Sequence, residues 1–122
     1  MIERIEDMPP GTVGLRASGT LSKSDYTDVL EPALRDGVAS GELRLVFLLT
    51  DFHGLAPGAW AEDVKTGLQA MVRDHAAWRR FAFVTDVGWV ARSMRLFTWM
   101  VPGDVLVAEP GQLEEAKEWV RG

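Results

Sequence analysis

The sequence predicts an α/β fold: a single-domain, mixed, mostly parallel five-stranded sheet with helices packed on it. Two runs of strand length, Leu43 to Thr50 (LRLVFLLT) and Phe81 to Thr85 (FAFVT), are apolar almost throughout, as strands covered on both faces of a parallel sheet are. Segments with helical spacing of apolar residues separate and follow them, the alternation that builds parallel sheets through right-handed crossovers. At 122 residues, 47% of them hydrophobic, the chain is sized for one core, so residues 1–122 are read as one domain.

The first 20 residues predict a hairpin. Ile2 and Ile5 precede the breaker Pro9-Pro10-Gly11, after which Val13, Leu15 and Ala17 alternate with polar or small neighbours. Ser22 is placed to cap a helix whose third residue, Asp25, suits the positive helix start. Tyr26, Val29, Leu30, Ala33 and Leu34 continue at helical spacing, and Pro32 should kink that helix because it lacks a backbone donor. After the strand Leu43 to Thr50, Asp51-Phe52-His53-Gly54 reads as a loop. A helix opening near Pro57 then carries Trp60, Val64, Leu68, Met71 and Val72 as its buried stripe and runs to about Trp78. The strand Phe81 to Thr85 leads into a helix stopped by Pro102-Gly103. Val105 to Ala108 is a last short strand, and Leu113, Ala116, Trp119 and Val120 mark a closing amphipathic helix.

Composition excludes several functions. There is no cysteine, which removes disulfides, thiolate nucleophiles and cysteine-ligated metals. Two histidines leave little for a histidine-rich metal site, and no nucleophile elbow, phosphate loop or metal-ligand spacing occurs, so neither a catalytic residue nor a cofactor is expected. The net charge of -5 argues against a long nucleic acid. Residues 73–101 nevertheless carry five basic against two acidic residues, a local patch able to meet an anionic surface or headgroup. No apolar run reaches the length of a leader or of a membrane-spanning helix, so a cytoplasmic protein, at most peripheral to a membrane, is expected.

Four segments taken together resemble a known family: Gly19 to Pro32 (GTLSKSDYTDVLEP), the apolar strand followed by DFHG, Phe81 to Trp89 (FAFVTDVGW), and AKEWV near the end. Their order and spacing are similar to those of the SpoIIAA-like family of STAS-type domains, over nearly the whole chain. The resemblance implies a small α/β domain related in shape to STAS and to the lipid-carrying CRAL-TRIO (Sec14-like) domains. It also implies binding of a small or lipid-like ligand, membrane association and a movable helix. STAS-type anti-sigma factor antagonists carry a phosphorylatable serine in a D-S-[SAT]-G motif after the central strand. Here the tetrapeptide is Asp51-Phe52-His53-Gly54, and Phe52 cannot accept a phosphate.

The candidate sites follow from two features. VFLLTD and FAFVTD end alike at Asp51 and Asp86, so neighbouring strands would bring both carboxylates to one carboxyl edge, where open α/β sheets bind ligands. A ligand-binding set of Asp51, Phe52, His53, Trp60, Asp86 and Trp89 is expected there. An acid/base cluster of Asp51, His53 and Asp86 is weighed against plainer roles, with Asp86 capping the next helix, Asp51 holding a loop and His53 bonding backbone. His75 is read as structural, and Trp60 and Trp78 equally suit packing. On the helix after Asp86, steps of about 100° per residue gather Leu96, Trp89, Met100, Ser93, Phe97, Val90, Val101 and Met94 into one buried arc. Arg92, Arg95 and Trp99 fall opposite, as a surface for arginine–indole stacking, membrane contact or self-association into a homodimer. The expected function is a non-enzymatic binding domain for a small, partly apolar or lipid-like ligand. The alternative is a STAS-like regulatory protein-interaction module without the phosphorylatable serine.

Overall fold

The computed structural model describes residues 1–59, 62–73, 77–96, 98–100 and 103–122. Trp60, His75, Phe97, Val101 and Pro102 lie outside the described residues, as do the side chains of Leu68, Met71, Val72 and Met100.

The sheet has five strands in sequence order: β1 (Ile2–Arg4), β2 (Val13–Leu21), β3 (Leu43–Leu55), β4 (Trp78–Thr85) and β5 (Asp104–Ala108). β1 is antiparallel to β2, and the other three pairings are parallel. The mixed, mostly parallel sheet is therefore as predicted. Sequential right-handed crossovers advance in one direction and leave their helices on one face. On that face, Ala33 and Leu34 of α2 (Glu31–Ala39) and Val90 and Met94 of α4 (Gly88–Leu96) pack with Leu15, Ala17, Leu45, Leu49 and Phe83. α3 (Glu62–Arg73) lies along α2. The opposite face of the sheet, Val46, Leu48, Ala82 and Val84, is covered by Ala116 and Val120 of α5 (Leu113–Arg121). Because both faces are covered, β3 and β4 read as continuous apolar runs.

Local chemistry sets the element ends. Ser22 caps α1 (Lys23–Asp25) with a reciprocal box: Asp25 N–H donates to Ser22 Oγ at 3.3 Å, and Ser22 N–H donates to the Asp25 carboxylate at 2.8 Å. The kink expected at Pro32 takes the form of a π-turn over Tyr26–Leu30, in which Glu31 N–H reaches back to the Tyr26 carbonyl. Pro32 has no N–H for the carbonyl four residues earlier, and a wider turn just before it accommodates the loss. α5 ends against the sheet. Arg44 Nη1 donates to the Val120 carbonyl at 2.9 Å and Arg80 Nη1 to the Trp119 carbonyl at 2.6 Å, with the Arg80 guanidinium 5.0 Å from the Trp119 ring. Two cations thereby meet the negative end of the helix.

Two boundaries differ from expectation. The expected helix start near Pro57 is not observed, because Pro57-Gly58-Ala59 forms a turn with Gly58 at φ 84, a conformation that cannot continue a helix, and the described residues of α3 are Glu62–Arg73. Trp78 opens β4 instead of closing the helix. A register shift after the Leu43–Trp78 pair puts Arg44 opposite Arg80, so Arg79 is the extra residue of a bulge. β5 approaches closely there: a Cβ on Gly103, at φ 80, would lie 2.8 Å from the Arg79 carbonyl oxygen. Only glycine fits that position.

Candidate functional site

β3 and β4 are neighbours with Leu49 opposite Thr85, so Asp51 and Asp86 emerge at the same carboxyl edge. The strand order does not reverse there, however, so the crevice that accompanies a reversal in open sheets is not formed. The tetrapeptide at Asp51 is not a loop either. β3 runs on to Leu55, pairing Phe52 with Gly19 and Gly54 with Thr20, and leaves Asp51 and His53 as extra residues of an irregular edge. Asp51 takes φ 50, a left-handed conformation that aspartate tolerates better than most residues. His53 Nε2 lies 3.2 Å from Asp51 Oδ1 with both side chains exposed. Asp86 does not join them: among the described residues its carboxylate makes no hydrogen bond or ion pair. The bond to Val87 N–H expected of it comes from Thr85 Oγ1 at 3.0 Å.

Trp89 and Leu96 were expected in the buried arc of α4 but are 59% and 68% exposed. The covered side is Val90, Ala91 and Met94, near 100°, 200° and 140° when Trp89 is set at 0° with steps of about 100° per residue. The helix is thus rolled relative to the apolar count. Ala91 carries little weight in such a count, yet its small side chain permits the close approach that decides the roll. Among the described residues Trp89 has one aromatic neighbour, Phe52, with ring centroids 6.3 Å apart. Trp99, in the 3-10 turn Thr98–Met100, is 77% exposed, and Arg92 and Arg95 are exposed as well. Among the described residues the cation–π contact is Arg80 with Trp119, not an arginine of α4 with Trp99.

Two cavities bear on function. The first, about 180 Å³, lies between α2 and the centre of the sheet and is lined by Leu30, Leu34, Leu45, Phe47, Trp78, Phe81 and Phe83. Four aromatic rings form a continuous stack along it: Trp78 with Phe81 at 6.2 Å, Phe81 with Phe83 at 6.1 Å, and Phe83 with Phe47 at 5.6 Å. Phe47 and Phe81 remain only half-buried although they sit on the two central parallel strands. The second, about 420 Å³, is a polar cleft between α4 and the turn after β5, lined by Thr85, Asp86, Gly88, Arg92, Arg95 and Glu109 among others.

Of the expected ligand set, the polar cleft takes Asp86 and neither of these cavities takes Asp51, Phe52, His53 or Trp89; Trp60 lies outside the described residues. The aromatic stack was missed because its members read as ordinary core. Phe81 and Phe83 show the two-residue period, but Trp78 stands three before Phe81, and only the bulge at Arg79 returns it to their face. Glu109 carried no signal in the sequence.

These features define a small α/β domain with four parallel strands in sequence order, an antiparallel edge strand and helices on both faces. Among its described residues no cluster of histidine, aspartate and glutamate suits a metal ion, and no helix is long and apolar enough to cross a membrane. The chain belongs to the SpoIIAA-like family, whose model matches residues 12–121. A solved structure similar to it is that of an uncharacterized protein of the DUF3478 family with a SpoIIAA-like fold, from Shewanella loihica PV-4. The two share 22% identity over 98% of this chain and 93% of that one, with a TM-score of 0.69, and the likeness is one of fold. No functionally curated protein shows significant similarity to the chain.

Proposed function

We propose that the protein is a non-enzymatic binding domain that takes an apolar or lipid-like group into the aromatic cavity at the centre of its sheet. The supporting observation is the void of about 180 Å³ whose described lining is entirely apolar. An enclosed apolar cavity of roughly 150 Å³ accepts benzene; this pocket of about 180 Å³ is partly open, and its size suits a single ring or the end of an alkyl chain rather than a whole lipid. The rest of a longer ligand would lie outside, along the half-buried faces of Phe47 and Phe81. Trp78 lines the void, so tryptophan fluorescence should report occupancy. Titration with decanoate should saturate in the wild type and weaken at least tenfold in Leu30→Phe, which fills the space. A flat titration, or equal binding by the two proteins, rejects the cavity as the site.

A second reading is favoured by Trp89, Leu96 and Trp99, which are all more than half exposed beside Arg92 and Arg95. Exposed indoles flanked by arginine suit peripheral contact with an anionic bilayer. Vesicle co-sedimentation of the wild type against Trp99→Ala tests it.

A further inference from the structure

The second cavity holds a different chemistry. Most described arginines have a fixed partner: Arg4 pairs with Asp36, Arg35 with Glu31, Arg79 with Glu42 and Arg121 with Glu118, while Arg44 and Arg80 hold the end of α5. Arg92 and Arg95 form no ion pair among the described residues, although Asp86 and Glu109 line the same cleft. Their spacing of three puts them on adjacent positions of one helix face, where like charges repel. Arg92 is placed still less favourably. Its Nη1 lies 3.7 Å from where a Cβ of Gly88 would be, so the guanidinium sits against the first residue of α4. That end of a nine-residue helix is positive and favours an anion, not a cation. Two unpaired guanidiniums and a positive helix end therefore converge on one cleft in a chain of net charge -5.

We propose that this cleft binds a phosphorylated polyol, with the phosphate between Arg92 and Arg95 and the hydroxyls on Asp86 and Glu109. One guanidinium fork saturates a carboxylate, whereas a phosphate monoester offers three free oxygens and can engage two forks at once. The volume of about 420 Å³ exceeds what a phosphate alone fills and falls within the range of small-molecule sites. Carboxylate oxygens accept hydrogen bonds, so what Asp86 and Glu109 take from a ligand is a hydroxyl donor. They also oppose a second phosphate. The cleft and the aromatic cavity share no lining residue, so each site stands or falls by itself.

Isothermal titration with glycerol 3-phosphate, inorganic phosphate and glycerol, and sedimentation with vesicles containing phosphatidylinositol 4-phosphate, whose headgroup carries a phosphate monoester on a polyol, test the assignment. The wild type should bind glycerol 3-phosphate at least threefold more tightly than inorganic phosphate and should not bind glycerol. Arg92→Gln and Arg95→Gln, both at exposed positions and checked for folding by circular dichroism, should each weaken glycerol 3-phosphate tenfold or more. Glu109→Gln should reduce its preference over inorganic phosphate. Arginine-dependent binding confined to vesicles identifies a lipid headgroup as the source of the same chemistry, and binding of the soluble ester identifies a free metabolite. No saturable binding of either, binding indifferent to both arginines, or equal affinity for inorganic phosphate and glycerol 3-phosphate would overturn the proposal.

Discussion

Replacing Asp25 by alanine should destabilise the domain far more than its place in a three-residue helix suggests. Its carboxylate accepts from Ser22 N–H at 2.8 Å, from Ser22 Oγ at 3.0 Å and from Ile2 N–H at 3.1 Å, and the amino terminus lies 3.4 Å away. The side chain is 17% exposed, so one group ties β1 to the start of α1. Hydrogen bonds to a charged group contribute about 1.5–3 kcal/mol each, and water replaces some of them in the variant. A total near 3 kcal/mol follows for alanine and about half of that for asparagine, which keeps an acceptor oxygen. In a chain of this size roughly 3–5 °C of Tm accompanies each kcal/mol, so alanine should lower the midpoint by about 10 °C. Burial pushes the Asp25 pKa up, but the bonds from Ser22 and Ile2 and the nearby amino terminus outweigh it, and the net shift is below the ordinary 3.8. A depressed carboxylate pKa contributes stability that is fully present above 3.8 and lost as pH falls through the folded-state value. The gap between wild type and Asp25→Asn should therefore narrow in acid. Urea titrations from pH 7 to pH 2 measure both effects, with Asp28→Ala, an exposed neighbour, expected within about 0.5 kcal/mol of wild type. A loss below about 0.5 kcal/mol in Asp25→Ala, or a gap to asparagine that does not change with pH, would refute the reasoning.

Lys117 is buried on α5, with Asp7 and Glu114 oxygens each 3.1 Å from its Nζ. Burial lowers its pKa, the two carboxylates more than offset that, and the net shift is upward; the hydrogen bond from Lys117 leads the causes that hold Asp7 below its ordinary value. The pair's contribution is thus present between about the ordinary values of 3.8 and 10.5, lost below through Asp7 and above through Lys117. Lys117→Met should return Asp7 toward 3.8 in an NMR titration while changing stability at pH 7 by no more than about 1 kcal/mol, since the cost of burying the charge disappears with the pair. An unmoved Asp7 would show that the pair does not set its pKa. For the surface of α4, Trp99→Ala should cut sedimentation with anionic vesicles several-fold, and equal, negligible binding by both proteins would remove the membrane reading.

What the sequence disclosed depended on whether a signal was local. The capping box at Ser22 and Asp25, the covered strands and the hairpin are written in adjacent residues, and each was legible. The continuation of β3 through Asp51 to Leu55 was not, because it depends on which residues of β2 lie opposite and on how the irregular register absorbs Asp51 and His53. The roll of α4 was missed for a related reason. Counting apolar bulk favoured the side bearing Trp89 and Leu96, whereas the sheet accepts the side where Ala91 allows close approach. Of the candidate residues, Arg92, Arg95 and Asp86 were singled out, but as members of two separate sites, since nothing in their spacing says that they line one cleft with Glu109.

Strand order explains why the two cavities lie where they do. A sheet that reverses its winding opens a crevice at the carboxyl edge between the strands where it reverses. Here β2 to β5 advance without reversal, so a binding site has to arise where a helix fails to cover its strands completely. α3 lies along α2, and Phe47 and Phe81 stay half-buried beside the apolar void. α4 is rolled onto Val90, Ala91 and Met94, which turns Arg92 and Arg95 toward the ends of β4 and β5 and away from the aromatic stack. Only the cleft then depends on how α4 sits, since no α4 residue lines the aromatic cavity. Enlarging Ala91, which lines the cleft, would shift α4 on the sheet and should weaken a ligand of the cleft while leaving a ligand of the cavity unchanged, whereas Leu30→Phe should do the reverse.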